Sequence, residues 1–407
     1  MKISLGIKIL IGICVGIVLG LFAPAVAHKI SFIGEIFLRL LKMLMVPLVF
    51  FSISSGICKM GDVRRLRTVG MRFSAYILAT SALCALFGVA VAQLFSLGSG
   101  SAHFTLAETP DVAVKYDFID TLVNWFPENV VKAMAEGELL QIIVFAFFFG
   151  SALLVLKDKT SRLSAIVEEC SETMIKITNF VMEFSPFGIA SLLATMFVSV
   201  DTSVMKEVLS FVLCVNLSCA AVLFVVFPAF LKFFVKVRPY RFLRCISEVI
   251  LVALSTTSSA ATLPVSINVA KTKLKISENV YGFTLPFGNT CGMNGFAVTI
   301  GLFSVFAFNL CNRDVTFASI LQFVLLGIVL SVGAAGVKGA GIIMTTLLLE
   351  TMGLNLALVP VIAAVWPIID PAMTVVNNAS DLVGTVMVAK STHFAVINVF
   401  LISGRIC

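Results

Sequence analysis

Eight stretches of this chain are apolar over about 20 residues each, the length a helix needs to cross a bilayer core of roughly 30 Å. They run over 4–27, 32–58, 72–98, 138–156, 165–200, 207–231, 279–309 and 357–389. A water-soluble fold has no interior large enough to bury so much apolar surface. The charge content agrees: 13% of the residues are charged, against about 25% in an average soluble domain. The chain is therefore expected to be an all-α polytopic membrane protein. Its first stretch exceeds a signal-peptide core and lacks a convincing cleavage site, so it reads as a retained span. The fifth starts amphipathically with Glu168, Glu169, Glu172 and Lys176, which places its beginning outside the hydrocarbon.

The net charge of +7 lies in short clusters between apolar runs, the topology signal of a membrane protein. No basic patch interleaved with aromatics occurs, so no nucleic-acid partner is expected. The ten cysteines are scattered singly, without a CxxC pair or a zinc-like Cys/His spacing.

Two further apolar stretches, 246–270 and 317–348, are interrupted near their middles by small residues. The first reads Ser-Thr-Thr-Ser-Ser-Ala-Ala-Thr-Leu-Pro over 255–264, the second Gly-Ala-Ala-Gly-Val-Lys-Gly-Ala-Gly over 333–341. Irregular backbone at membrane depth survives only where protein buries it or where it lines a cavity. Lys and Arg counts bear on whether these stretches cross. With both termini cytoplasmic and neither stretch crossing, 16 basic loop residues face the cytoplasm and 5 the opposite side. Letting either stretch cross alone moves basic loops outward. Eight transmembrane helices plus two re-entrant helical hairpins is the economical arrangement. Each hairpin precedes one span, and the two units enter from opposite sides, so they form inverted repeats. Broken segments at matching positions of two repeats point to the substrate site of a secondary transporter. Two kinked crossing helices, with small residues for packing, are the plainer alternative. The loop 99–137 falls outside and is either a flexible connection or an insertion.

The final span carries Asp370, Thr374, Asn377, Asn378 and Asp381. At 100° per residue, Thr374, Asn377 and Asp381 lie within about 40° of the direction of Asp370. Pro367 and Pro371 flank Asp370 and free nearby carbonyls. Carboxylate, amide and carbonyl oxygens together suit a hard cation; a stripe packing on water or another polar helix is the alternative. The span 279–309 is interrupted by Gly288-Asn289-Thr290-Cys291-Gly292-Met293-Asn294-Gly295, and unwound carbonyls there would suit sodium. An enzyme finds less support. The three histidines lie at span ends or in loops, HExxH and GxSxG are missing, and Asp370 and Asp381 sit on one helix, about 16 Å apart. A channel filter should repeat by symmetry, and no such repeat is visible.

These residues, with Met-Leu-Met-Val-Pro-Leu-Val-Phe (43–50), Ser-Pro-Phe-Gly-Ile (185–189), Ala-Thr-Leu-Pro (261–264), the glycine-rich tip at 333–341 and the run from Thr374 to Thr385, resemble the glutamate-transporter family, the dicarboxylate/amino acid:cation symporters. The resemblance spans nearly the whole chain. It implies one transporter domain over 1–407 in a homotrimer, with a scaffold mainly of 1–72 and 138–231. The moving transport part would comprise 72–98 and 243–395 with both hairpins. It further implies that Asp370 holds a substrate ammonium, that Asn377 and the Ser259 backbone hold an α-carboxylate, and that Thr374 lies nearby. Ser258, Met293, Phe296, Val337, Gly341 and Met373 complete the implied substrate set. Asp381 with carbonyls of Gly288, Gly292 and Asn377 matches one sodium site. Thr290 with carbonyls of Ser331, Val332 and Ala334 matches a second, and Thr80, Ser81 and Asn294 stand where the family has third-site ligands.

Three departures stand out. Met373 replaces the arginine that grips a side-chain carboxylate in acidic-substrate members. Gly292-Met293-Asn294-Gly295-Phe296 stands for Asn-Met-Asp-Gly-Thr, which removes a third-site carboxylate and a substrate-side threonine. The arginine expected at one of two further positions is absent from both, which read Thr257 and Pro371, and Lys338 replaces a proline at the second tip. The implied function is inward symport of an amino acid, neutral rather than acidic, driven by sodium or protons across a bacterial-type inner membrane. A glutamate, aspartate or dicarboxylate symporter, or a channel-like conductance on the same scaffold, is the alternative. No cofactor is implied beyond the coupled cation; the partners are the substrate and the lipid bilayer.

If 246–270 re-enters, single cysteines placed at Val235 and Lys273 will be labelled by an impermeant thiol reagent from the same face of the membrane. Labelling from opposite faces rules the topology out.

Overall fold

The computed structural model describes residues 5–58, 63–100, 123, 125–199, 202–334, 340–354 and 358–391. Regular structure among them is helical throughout. Helices α1 (Leu5–Phe22) and α2 (Pro24–Cys58) are separated by Ala23 alone. Pro24 opens α2, where a missing N–H is harmless and φ is already helical, so the break comes earlier than the hydropathy boundary between 27 and 32. Next come α3 (Val63–Leu94), the short α4 (Val130–Glu136), α5 (Leu139–Leu156) and α6 (Ser161–Ser199). α4 is closed at both ends: the Asn129 side chain accepts from the Val131 and Lys132 amides, and Gly137 takes φ 76°.

Helix α7 starts at Thr202–Ala221 and continues through π-helical turns at Val222–Val226 and Leu231–Val235. After α8 (Pro239–Cys245), α9 (Ser247–Thr256) and α10 (Ser259–Thr272) fold back on each other. At 1.5 Å per residue these arms are about 15 and 21 Å long, short of a membrane crossing. Then follow α11 (Glu278–Cys291), α12 (Asn294–Leu310), α13 (Phe317–Gly333), α14 (Ala340–Thr351) and α15 (Leu358–Ser391). Among the described residues, five helical stretches are long and apolar enough to cross a membrane: Thr68–Leu94, Ser161–Thr195, Lys206–Val235, Glu278–Leu310 and Leu358–Ser391. α1, α2 and α5 supply the shorter apolar segments among the eight stretches.

Two interrupted segments were expected to be hairpins, and they differ. α9 and α10 pack on each other, and their open end is tied by Lys273 Nζ to Glu248 Oε1 at 2.7 Å. α13 packs mainly on α3 and α12, whereas α14 packs on α15 and α2. The tip between them, with Val337 and Lys338, lies outside the described residues. Arg313 closes the far end of this second unit by donating to the Met352 and Gly353 carbonyls at 3.0 and 3.1 Å, where α14 runs out of helical donors.

Glycines determine how closely these helices approach. Between helices in lipid there is little hydrophobic drive, so close packing decides association. Gly12, Gly16 and Gly20 recur once per turn along α1 and meet α6 at Pro186, Ala190 and Ala194; a Cβ on Gly16 would stand 2.6 Å from the Ala190 carbonyl oxygen. α3 and α12 make a second seam, where Gly88 faces the Val298 carbonyl and Gly301 faces that of Ala85. α1, α2, α5 and α6 thus form one packed group. α3 and α9–α15 form another, and α7 packs chiefly on α12 and α15 of it, although its stretch 207–231 falls within the scaffold of the sequence division.

Gly301→Val puts branched bulk against backbone in the second seam and should cost about 1–3 kcal/mol. A lowered melting temperature in detergent checks it. Gly282→Ala, exposed on α11 with only Glu278 nearby at 3.8 Å, should leave the melting temperature unchanged or raise it.

Candidate functional site

The site is built where α11 gives way to α12. The sequence suggested an unwound stretch over 288–295, but the helix persists to Cys291 and the break is confined to Gly292 and Met293. A break this short frees few backbone groups, and side chains of α15 take them up. The Gly295 amide donates to Asn377 Oδ1 at 2.7 Å. That bond orients the Asn377 amide, whose NH₂ is a donor suited to a carboxylate.

Asp381 lies one turn further along α15 and is 4% exposed. Gly288 and Gly292 make room for it: a Cβ on Gly288 would overlap its carboxylate, and one on Gly292 would fall 2.7 Å from its Oδ1 and 2.8 Å from the Gly288 carbonyl oxygen. A carboxylate and a carbonyl thus crowd one small space. The Gly288 carbonyl already accepts from the Gly292 amide at 2.6 Å, yet a carbonyl keeps a second lone pair. Among the described residues no three His, Cys, Asp or Glu converge, so the donors on hand are hard oxygens, which suit an alkali or alkaline-earth cation. The structure thus brings Asp381, Gly288 and Gly292 together.

The third expected grouping is also assembled, with a chemistry the sequence did not disclose. Asn294, 1% exposed, accepts from Ser81 Oγ at 2.9 Å and donates through Nδ2 to Thr80 Oγ1 at 2.9 Å and Ser380 Oγ at 2.5 Å. Thr80 fixes the sense of this network. Its single hydroxyl proton goes to the Tyr76 carbonyl at 2.7 Å, so toward Asn294 it can only accept. The amide NH₂, with two protons, fills the place where an acidic residue would present oxygen. Tyr76 closes the network: its hydroxyl donates to the Ser380 carbonyl and also meets Ser380 Oγ, each at 3.0 Å.

Thr290 lies against α2, where Gly56 abuts its side chain. Gly333, in the last turn of α13, meets Ile143 of α5 closely and Ile53 of α2 only at the edge of contact. Ser331 and Val332 belong to that turn, and Ala334 follows in extended conformation. The last carbonyls of a helix lack donors and carry the negative end of its dipole, as a cation ligand set requires.

Across the site stands the turn between α9 and α10. The sequence suggested a long serine-rich tip, but only Thr257, left-handed at φ 49°, and Ser258 leave the helix. The Ser258 hydroxyl caps α10 by accepting from the Ala261 amide at 3.3 Å, and Thr262 returns its hydroxyl to the Ser258 carbonyl at 2.8 Å. The hydroxyl-rich stretch thus satisfies its own backbone. Asn378, polar in sequence but assigned no role, ties this turn to α15: its Nδ2 donates to Ser259 Oγ at 3.1 Å and to the Thr374 carbonyl at 2.8 Å. Adjacent side chains of one stripe thus serve different partners, Asn377 the α11–α12 break and Asn378 the hairpin turn.

The remaining expected residues are a half-buried Asp370 and the buried Thr374, Met373, Met293 and Phe296. Gly295 packs directly on the Met373 backbone. α15 stays continuous through Pro367 and Pro371, each of which deprives the carbonyl four residues earlier of its donor. Trp366, not among the sequence candidates, lies beside Phe296 with ring centroids 6.1 Å apart. Its place on the Asp370 face, one turn earlier, was readable from the sequence.

Comparison with known proteins follows this geometry. Residues 5–391 match the profile described as the sodium:dicarboxylate symporter family. A C4-dicarboxylate transport protein of Rhodopseudomonas palustris (strain BisB5) is 29% identical over 384 residues, 93% of this chain and 85% of that protein. One of the same description from Anaeromyxobacter sp. (strain K) is 28% identical over 395 residues, covering 95% and 89%. A proton/sodium-glutamate symport protein of Geobacillus stearothermophilus is 26% identical over 400 residues, covering 96% and 94%.

Asn294→Asp sets an acceptor against Thr80 and Ser380, and without a proton or cation between them the variant should lose about 1–3 kcal/mol. Melting temperature against sodium concentration at fixed pH checks this. The variant should start lower than the parent and recover with sodium more steeply; parallel curves would count against the network.

Proposed function

The chain belongs to the sodium:dicarboxylate symporter family, and from that footing we propose that it carries a neutral amino acid inward, coupled to a cation gradient, by alternating access. As a family member it is a multi-pass membrane symporter. The observation that carries the substrate reading is Met373, 2% exposed, on the same face of α15 as Asp370. An acidic side chain buried against a thioether lacks the bidentate, charge-assisted partner that an arginine gives, a loss of several kcal/mol in a dry site. Asp370 offers a counter-charge to an ammonium, which a plain dicarboxylate does not have. The NH₂ of Asn377 and the N-terminus of α10 at Ser259 supply donors for an α-carboxylate.

Coupling follows from the oxygen groupings. Asp381 with the Gly288 and Gly292 carbonyls would take one cation, and Thr290 with the carbonyls of Ser331, Val332 and Ala334 a second. Sodium at membrane depth needs compensating charge, and at Asn294 the amide protons offer none. The third site is accordingly empty or weak, and fewer cations accompany each substrate than in acidic-substrate relatives. A proton carried on Asp381 or Asp370 is the competing mechanism. The homotrimer, and the division into scaffold and moving part, belong to this same proposal.

A dicarboxylate or glutamate substrate is the second reading, and the descriptions of the relatives favour it. Radiolabelled uptake into proteoliposomes, with sodium and proton gradients imposed separately, decides between the two. Neutral amino acids should compete and succinate should not, Asp370→Asn should reduce uptake at least tenfold, and fewer than three sodium ions should accompany each substrate. Glutamate outcompeting every neutral amino acid overturns the substrate reading, and a requirement for three sodium ions overturns the coupling.

A further inference from the structure

We propose that Trp366 forms the blind end of the substrate chamber and sets the length of side chain it accepts; the inference rests on the amino-acid reading above. Trp366 precedes Asp370 by one turn of α15 and Met373 by two. Offsets of four and seven residues place Asp370 and Met373 each within about 40° of the direction of Trp366 on one helix face. An amino acid whose ammonium meets Asp370 therefore has the indole about one turn away, about 6 Å along the axis.

Two contacts fix the indole. On one side its ring meets the Phe296 ring at 6.1 Å and 63°, an edge-to-face pair. On the other it lies against the first turn of α14, so close that a Cβ on Gly341 would overlap its six-membered ring. Glycine at 341 is thus a consequence of tryptophan at 366. The indole is 3% exposed and Phe296 4%, so this wall is already packed and cannot fold away to admit a longer side chain. Tryptophan, phenylalanine and methionine offer no charge and a single ring N–H between them. A short, uncharged side chain fits such an end; a carboxylate would be stripped of water there without a partner.

The wall also joins elements that the substrate must bring together. Gly341 opens the second arm of the 317–348 segment, Phe296 belongs to the first turn of α12, and Trp366 belongs to α15. The ring is the shared surface of all three. Shortening it should widen the chamber without touching the oxygen groupings at Asp381 and Thr290, so specificity and cation dependence separate.

The test is uptake of radiolabelled alanine, leucine and succinate by the full chain in proteoliposomes with imposed sodium and proton gradients. Trp366→Ala should raise the leucine-to-alanine uptake ratio about tenfold, the usual worth of a few methylenes of pocket space, with an unaltered sodium dependence. Trp366→Phe, which keeps an aromatic packed on Phe296, should shift the ratio less and in the same direction. Gly341→Ala should abolish uptake, and Gly341→Ala combined with Trp366→Ala should restore it. An unchanged ratio in transporting Trp366 variants overturns the inference and leaves the amino-acid reading standing. So does full uptake by Gly341→Ala alone. Succinate uptake without either amino acid, in parent and variants alike, overturns the amino-acid reading and the inference with it.

Discussion

The hydrogen bond from the Gly295 amide to Asn377 Oδ1 joins the two features on which the rest of the site depends: a helix broken at membrane depth and a polar stripe on the helix beside it. Neither is stable alone in an apolar surrounding. A break leaves backbone groups without partners, and a stripe of amides and carboxylates strands side chains in the same condition. Facing each other, each satisfies the other. The Asp381 carboxylate enters where Gly288 and Gly292 leave space, and Asn294 finds Thr80, Ser81 and Ser380. Because these are buried polar contacts, losing one member leaves the others unpaired.

Much of this was legible in the sequence because membrane residence leaves strong marks. Hydropathy located the helices, and the polar stripe of 370–381 could be placed on one face by angle alone. The irregular segments were legible as places but not as shapes. Serines and threonines over 255–264 suggested an open tip, whereas their hydroxyls cap and re-bond the local backbone and keep all but Thr257 and Ser258 helical. The glycines and asparagines of 288–295 likewise suggested unwinding, yet Gly288 and Gly292 serve the approach of Asp381 instead. Composition reports that a residue permits irregular backbone; only the neighbours decide whether it is used. Trp366 was hidden for a related reason. A tryptophan in an apolar helix has no polar signature, and its importance arises from Gly341, twenty-five positions away.

The packing divides the helices without a linker to announce it. α1, α2, α5 and α6 hold together partly through glycine contacts on α1, and α2 then touches the other group through Gly56 and Ile53, against Thr290 and Gly333. These are surfaces of small or smooth side chains bearing no ion pairs among the described contacts. α6 also packs on α15, so the two groups meet at more than the α2 contacts.

Asn294 and an aspartate differ by one NH₂ in place of one oxygen, and their codons by a single base. The pocket around that atom is otherwise complete: Thr80, Ser81 and Ser380 are buried, and Tyr76 bonds both Thr80 and Ser380. An ancestral lineage passing through this scaffold would therefore gain or lose an anionic position here in one mutational step, with no rebuilding of the helices around it. The same step would strand the hydroxyls of Thr80 and Ser380 or relieve them, so a change of ligand here carries a change of stability with it.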